Sequence, residues 1–462
     1  MSIETMRLDE TPSLRGGRFQ EALKISLPIT ASQFMVMIGG FVNHLMISRV
    51  DTTTFAAGVL INSIQLTLVT VVFGVLYSLS ALIGNVVGEG KNPERVGQLF
   101  IAGCVVAVAI SIPTMVILFC VEPILLMFGQ PVAIVDVCAR YFRLYVWAVP
   151  AVGVLSVYIQ FLFGTFKQAI VLLYSTSSAA MSIALGYVMI FGKLGLPAMG
   201  IEGLAGAAVV TTWLAAALLT CFILGRSEHR KFELLAFEAR GLQRAIGRTL
   251  RVGVPIFVQM GNEIGSFFVI TVMVGWLGVE SLSVHQVATR YVMMLIIPVI
   301  GLSQAATVAI SSSVGAKNPS DVKQYGGFYI SMGLAYSFIA LLAFALTPRI
   351  FIRVFLEDTP ENASLFEILP TILVLVAVGQ VFDTIRNVVT GALRGLQDTK
   401  YPMSVSIVMI WPIGIPLAYS MGFTLHAGLV GMTVAQNIVM AIGCGVLLLR
   451  WRTKLAALSA SA

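Results

Sequence analysis

Two carboxylates in strongly apolar surroundings are the residues most able to do chemistry in this chain. Glu263 lies within the apolar stretch 259–278, and Asp383 lies in a second such stretch. An ionised carboxylate is costly in hydrocarbon, so residues of this kind normally face a cavity or a partner. Two carboxylates in one dry cavity also repel each other, and a bound proton or metal cation relieves that repulsion. The residue types therefore favour reversible cation binding inside a membrane.

Polar residues accompany both carboxylates at helical spacing, i, i+4 and i+7. Such stripes turn toward the interior of a helical bundle and away from lipid. The two sets are Gln259, Glu263 and Ser266, and Asp383, Asn387 and Thr390; Asn262 adjoins the first set. These residues are candidates for the lining of a polar cavity.

Arginines near the carboxylates support a second interpretation. Arg386 follows Asp383 by three residues, a spacing that suits a local ion pair, and Arg290 lies in another apolar stretch. Both arginines are also cavity candidates. The sequence leaves open whether they only neutralise Glu263 and Asp383 or share in ion coupling. His44 is interpreted as an interfacial or hydrogen-bonded histidine rather than a proton relay.

The composition places these residues in a membrane protein. The 462 residues are 58% hydrophobic and 11% charged, with a mean hydropathy of +0.92, whereas soluble domains carry about 25% charged residues. We predict an all-α fold with twelve transmembrane helices. The predicted spans are 26–47, 56–87, 98–121, 139–163, 171–191, 204–224, 251–277, 284–314, 323–347, 365–393, 403–423 and 427–449.

The charge distribution predicts the orientation of the chain in the membrane. Lys and Arg concentrate before the first span, in the even-numbered connections and after the last span. The positive-inside rule then places both termini in the cytoplasm, and it accounts for the net charge of +7 without a nucleic-acid partner. The five cysteines and four histidines show no ligand spacing, so we expect no bound cofactor.

The chain contains an internal duplication. "KISLPITASQ" from Lys24 matches "RVGVPIFVQM" from Arg251, and "VGEGKNPERV" at 87–96 matches "VGAKNPSDV" at 314–322, at offsets of about 227 residues. We therefore predict two pseudo-symmetric bundles of six helices, arranged as parallel repeats. The predicted segments are a cytoplasmic N-terminal segment 1–24, an N-lobe 25–225, a basic amphipathic linker 226–250, a C-lobe 251–452 and a cytoplasmic tail 453–462.

The motifs and the duplication narrow the range of possible functions. Neither an HExxH zinc motif nor a GxSxG nucleophile elbow is present, so an enzyme is not expected. A two-lobed duplication with paired carboxylates favours an ion-coupled carrier over a receptor or channel. A flippase for lipid-linked oligosaccharides remains an alternative, although such a protein is expected to have a strongly cationic cleft. Pro255, Pro298, Pro412 and Pro416 are candidate bending points.

The motifs resemble those of the multidrug and toxic compound extrusion (MATE) family, in particular its NorM-type branch. The resemblance covers nearly the whole chain. It rests on "LPITASQFMVMIGGFVNHLMISR", the paired "VGEGKNP" and "VGAKNP" turns, "FGKLGLPAMGIEGLAGAA", "VHQVATRYVMMLIIPVIGLSQAATVAISSSVG" and "VFDTIRNVVTGALRGLQDTKYPM".

The resemblance implies a V-shaped, monomeric exporter of the inner membrane. It implies cationic amphipathic small molecules as cargo and H⁺ or Na⁺ as the coupling ion, with Glu263 and Asp383 as the coupling residues and the metal ligands if Na⁺ is used. One departure stands out, because Asn43 occupies a position where family members commonly carry aspartate. Ser182 and Gly186 likewise replace the asparagines of helix 5. We therefore hypothesise that coupling resides in the second lobe alone.

Overall fold

The computed structural model describes residues 18–49, 52–234, 239–355 and 363–460, and no strand occurs within those ranges. Twelve helical spans follow one another in chain order, as the apolar stretches predict. They are α1 (Arg18–Ile47), α2 (52–89), α3 (Glu94–Phe119), α4 (Val132–Gly164), α5 (Gln168–Phe191), α6 (Gly200–Gly225), α7 (Ala239–Trp276), α8 (Val279–Gly315), α9 (Pro319–Leu346), α10 (Ala363–Gly395), α11 (Lys400–Thr424) and α12 (Gly428–Ala460).

Eleven of these spans are, over the described residues, long and apolar enough to cross a membrane as one helix. The exception is α2, which consists of Thr52–Gln65, a π-helical turn at Leu66–Thr70, two short pieces and Ser78–Glu89. A hydropathy average does not register such breaks, because it counts apolar residues and not hydrogen-bond geometry. The prolines of α11 have a related effect, since Pro412 lies in a π-helical segment, Met409–Gly414.

The two bundles of six helices meet at α2 and α8. Gly88 lies against the Ser312 carbonyl, and Gly315 lies against the Asn85 carbonyl, so closely that neither glycine has room for a Cβ atom. Gly315 follows Gly88 by 227 residues, and Ser312 follows Asn85 by the same number, which is the offset of the sequence repeat. The lobes therefore touch through equivalent surfaces, as expected for a duplicated chain.

Hydrogen bonds join the lobes in the same half of the molecule. Gln304 Nε2 on α8 donates to Ser80 Oγ at 2.9 Å and to Gln160 Oε1 at 3.0 Å. Tyr325 on α9 donates to the Glu21 carboxylate of α1 at 3.1 Å. These contacts hold the lobes together near the connection between α2 and α3 and the one between α8 and α9.

Several helices run beyond the apolar stretches that predict them. α7 begins at Ala239, so three turns of the predicted linker 226–250 belong to the same helix as the seventh span. α12 continues through Ala460, and α1 begins at Arg18, inside the predicted N-terminal segment 1–24. Backbone hydrogen bonds extend a helix into water at little cost, so these helices continue beyond the apolar residues that predict them. Residues 1–17 and 461–462 of the predicted terminal segments lie outside the described residues.

Candidate functional site

The two predicted coupling residues meet across Arg386. Glu263 lies on α7, whereas Asp383 and Arg386 lie one turn apart on α10. Arg386 Nη1 donates to Glu263 Oε1 at 2.7 Å, and its Nη2 and Nε donate to Asp383 Oδ1 at 2.7 and 3.1 Å. One guanidinium therefore bridges both carboxylates. We call Glu263, Asp383 and Arg386 the charge triad.

Amide side chains complete the hydrogen bonding of the carboxylates. Gln259 Nε2 donates to Glu263 Oε1 at 3.1 Å, from one turn earlier on α7. Asn387 Nδ2 donates to Asp383 Oδ2 at 3.0 Å, from one turn later on α10. Both donors come from the i, i+4 stripes of the sequence analysis, and in the structure they hydrogen-bond to the acids.

The triad faces a cavity of about 210 Å³ inside the C-lobe. The side chains of Glu263, Arg386 and Asp383 are 29%, 17% and 8% exposed. Of the two acids, Glu263 is thus the more accessible from the cavity. Ser266, which donates to the Glu263 carbonyl at 2.7 Å, also lines this space.

Apolar side chains form most of the remaining cavity wall. They come from five helices of the C-lobe and include Phe267, Ile270, Val292, Ile296, Ile372, Val376, Val405, Met409, Ile410, Val439 and Met440. A pocket of this kind buries an apolar molecule while a few polar groups set its orientation.

The charges of the triad do not cancel. Among the side chains that line the cavity, two carboxylates share one guanidinium, which leaves one unit of negative charge when both acids are ionised. The Arg394 guanidinium, two turns further along α10, also attracts Glu263. The Arg386 guanidinium also offsets the repulsion that two bare carboxylates would experience.

Arg290 lines neither of the two cavities described here. Its side chain is exposed, and it makes no ion pair with Glu263 or Asp383 among the described residues. On α8 the cavity is lined by Ala288, Thr289 and Val292, and Arg290 projects to another side of the helix. Its apolar neighbours in the sequence suggested a position deep in the membrane, but they do not specify which face of the helix turns inward.

Four other candidates lie near the cavity without lining it. Asn262 bridges α7 and α11, donating to Ser406 Oγ at 2.7 Å and accepting from the Trp411 indole. Thr390 is buried, and its Oγ1 has no hydrogen-bond partner among the described residues. Gln259 and Asn387 act through their hydrogen bonds to the acids.

Sequence reasoning missed several polar residues of the cavity wall. His285, Gln380, Gln436 and Asn437 all line it. Each is a polar residue within an apolar span, which is the signal that identified Glu263.

In the N-lobe, Asn43 is the uncharged residue that the sequence analysis singled out. Asn43 Nδ2 donates to Ser182 Oγ at 2.9 Å, and a Cβ atom on Gly186 would lie 3.2 Å from Asn43 Oδ1. The three positions at which the sequence departs from the family pattern therefore lie together. Asn43 Oδ1 has no partner among the described residues, and Asn43 lines neither of the two cavities described here.

The second cavity, of about 300 Å³, lies within the N-lobe. Its polar lining consists of hydroxyl and amide groups, including those of Ser32, Gln33, Tyr77, Ser156, Gln160 and Thr212. No acidic or basic side chain belongs to this wall among the described residues. The charge asymmetry between the lobes is thus present in the cavities as well.

Sequence comparison relates the chain to a family of membrane transporters. The family model described as MatE matches the chain twice, at residues 28–188 and 255–420. The chain is 27% identical over 435 residues to "Probable multidrug resistance protein NorM" of Rhizobium meliloti (strain 1021), covering 94% of this chain and 92% of that protein. It is 28% identical over 437 residues to "Multidrug resistance protein NorM" of Burkholderia vietnamiensis, with 94% and 93% covered.

Solved structures share the fold. A MOP superfamily transporter from Pyrococcus furiosus matches with a TM-score of 0.85 at 16% identity, over 96% of this chain and 98% of that one. A eukaryotic MATE transporter matches with a TM-score of 0.82 at 20% identity, again over 96% and 98%.

Proposed function

The chain belongs to the MatE family of membrane transporters, and on that premise we propose that it exports cationic amphipathic compounds in exchange for H⁺ or Na⁺. Relatives that span nearly the same length are described as multidrug resistance proteins, which supports export of small molecules. The observation that carries the coupling part of the proposal is the bridging of Glu263 and Asp383 by Arg386.

Ion exchange follows from competition for the two carboxylates. A proton or Na⁺ that reaches Glu263 neutralises it and removes the attraction that holds Arg386 to α7 at 2.7 Å. α7 and α10 are then free to move relative to each other. When the ion leaves, the restored negative charge attracts a cationic cargo, so ion and cargo bind in turn.

The cavity wall suits the proposed cargo. Its apolar side chains would bury the hydrophobic part of an amphipathic molecule, and Glu263, 29% exposed, would face the cationic part. A pyrophosphate-linked lipid needs an excess of positive charge, whereas the lining of this cavity contains two acids and one arginine. The flippase alternative is therefore disfavoured.

Alternating access requires the lobes to separate where they now touch. The touching ends carry Lys91, Arg95 and Lys317 in their connections, and the positive-inside rule places such residues in the cytoplasm. We therefore propose that both termini are cytoplasmic, that the protein resides in the inner membrane as a monomer, and that this conformation is closed toward the cytoplasm.

Proteoliposomes test the coupling directly. Efflux of an ethidium-type dye would be followed under a pH gradient and a Na⁺ gradient imposed separately. We expect Glu263→Gln and Asp383→Asn each to lower gradient-driven transport at least tenfold, because neither amide can gain or lose a proton at these pH values. Asn43→Ala is the matched control in the other lobe and should retain most of the activity.

Three outcomes would count against this proposal. Full activity of both carboxylate variants would reject the triad as the coupling site, and selective loss in Asn43→Ala would place coupling in the N-lobe. Dye movement that does not saturate and ignores both gradients would point to a channel.

A further inference from the structure

The connection between the lobes begins with a segment that packs against the N-lobe. This strap, residues 226–234, follows α6 and includes the short helix Ser227–Arg230. Phe232 and Leu234 are buried. Gly97 of α3 approaches the strap backbone so closely that a Cβ atom there would overlap the Phe232 carbonyl and lie 2.8 Å from the Glu233 carbonyl. The strap is therefore fitted into the N-lobe.

His229 is at the centre of this contact and is 3% exposed. Aromatic rings surround it, with centroid distances of 5.4 Å to Phe161, 6.2 Å to Phe222 and 6.4 Å to Phe232. Nδ1 lies 2.9 Å from the Ile223 carbonyl. Since a carbonyl only accepts, we assign the ring proton to Nδ1. Nε2 is buried and has no hydrogen-bond partner among the described residues.

The charged groups around His229 come from two elements. Lys167, between α4 and α5, pairs with Glu228 of the strap at 2.9 Å, and Arg226 lies 4.0 Å from the same carboxylate. Lys231 lies over the Phe232 ring, 5.3 Å from its centroid. Glu228, the acid next to His229 in the chain, is thus already held by Lys167, while the charges of Lys167 and Arg226 oppose a positive charge on the imidazole.

We propose that His229 is a pH-sensitive latch, which holds the strap on the N-lobe when neutral and releases it when protonated. Protonation of Nε2 would create an N–H donor without an acceptor inside an aromatic pocket. The chain passes from one lobe to the other only through residues 226–238. Release of the strap would add nine residues of free chain, so it would loosen the link across which the lobes move.

The direction of the pH effect follows from the pKa shifts of His229 and Glu228. Burial, together with the charges of Lys167 and Arg226, lowers the pKa of His229 and outweighs the opposite effects of the Ile223 carbonyl and Glu228. The released strap therefore binds the extra proton more readily. Docking is then strongest above the ordinary histidine pKa of about 6.5 and weakens below it, by up to tenfold per pH unit. The hydrogen bond and charge of Lys167 lower the pKa of Glu228, so that ion pair also favours docking, but it is lost only in more acidic solution, below about pH 4.5.

Hydrogen exchange of the full-length protein in lipid nanodiscs measures docking. Protection factors for peptides within 226–234 would be compared from pH 8 to pH 5, because protection factors remove the intrinsic pH dependence of exchange. In the unmodified protein we expect protection to fall severalfold or more between pH 7 and pH 5. His229→Phe, which keeps a ring in the pocket but takes no proton, should hold protection constant. His426→Asn is the control at an exposed histidine and should leave the fall unchanged.

A second pair of variants tests the docked geometry without titration. Gly97→Ala should lower strap protection at every pH, because its Cβ would overlap the Phe232 carbonyl. Gly247→Ala, at a helical glycine with no described atom within 4 Å of the added Cβ, should not. The proposal is overturned if the pH-dependent fall is absent from the unmodified protein or persists in His229→Phe. Unchanged protection in Gly97→Ala would equally reject the docked strap.

Discussion

At the residue scale, Arg386 determines what the two carboxylates can do. A guanidinium presents several donors in a rigid fork, so one side chain can hold Asp383 through two donors and Glu263 through a third. Lysine would have one donor atom for both acids. Arg386 thus pairs with both acids, as the second interpretation of the sequence expected, and its share in ion coupling stays a prediction.

Removal of Arg386 should destabilise the protein through the acids that it leaves behind. We expect Arg386→Gln to reduce the free energy of unfolding by about 3 kcal/mol at neutral pH, since two partly buried carboxylates would lose their cation. Arg386→Lys should fall between this variant and the unmodified protein. Thermal unfolding in detergent micelles measures the effect.

A double variant shows whether charge is the cause. Glu263→Gln introduced into Arg386→Gln should recover part of the lost stability, because one uncompensated charge and its repulsion disappear. If the double variant loses as much free energy of unfolding as the two single variants together, packing of the arginine stem is the explanation instead.

At the scale of the elements, the crossing of α2 and α8 depends on glycine. The backbones come so close at Gly88 and Gly315 that a methyl group has no space. Gln304 of α8 also donates to Ser80 of α2, and a second hydrogen bond joins it to Gln160 of α4. The packing of α2 against α8 therefore decides whether the lobes stay together at this end.

Gly88→Ala should open this crossing. The added methyl would overlap the Ser312 carbonyl, and we expect the touching state to lose about 1–3 kcal/mol relative to the separated state, as overpacking typically costs. Distances between spin labels on the two lobes would report the shift. Gly327→Ala, at a helical glycine of α9 with no described atom within 4 Å of its added Cβ, is the control. Identical label distances in the two variants would contradict the prediction.

Much of this architecture was accessible from the sequence, for identifiable reasons. Hydropathy indicated twelve spans because lipid demands apolar side chains over a fixed length, and i, i+4 spacing linked Gln259 and Asn387 to the acids. The face of a helix that turns inward was harder to predict from the sequence. Arg290 shows this, because apolar neighbours in the sequence do not specify which face is buried. The bridge between Glu263 and Arg386 joins residues 123 positions apart, and only tertiary packing brings them together.

At the scale of the whole molecule, the pseudo-symmetry axis passes between equivalent residues. Gly84 and Ser311 differ by the repeat offset of 227 and face each other, and a Cβ atom on Gly84 would lie 3.6 Å from Ser311 Cβ. That separation is within the range that disulfides require. A covalent link at this point would hold the lobes in their present arrangement.

Gly84→Cys combined with Ser311→Cys should therefore block transport when oxidised. If the lobes must part here in every cycle, dithiothreitol should restore transport in the same proteoliposomes, and neither single variant should respond to oxidation. Undiminished transport by the fully oxidised double variant would show that this contact does not open during the cycle.

The uncharged cluster of Asn43, Ser182 and Gly186 has a consequence for energetics. With a single ionisable centre, the proposed pump would admit one monovalent ion per turnover. Expelling a singly charged drug would then be electroneutral, so the transmembrane voltage would contribute nothing, and accumulation ratios would be limited by the chemical gradient of the ion alone. A doubly charged drug would have to leave against an inside-negative potential, which would make it a poorer cargo than its size and hydrophobicity suggest.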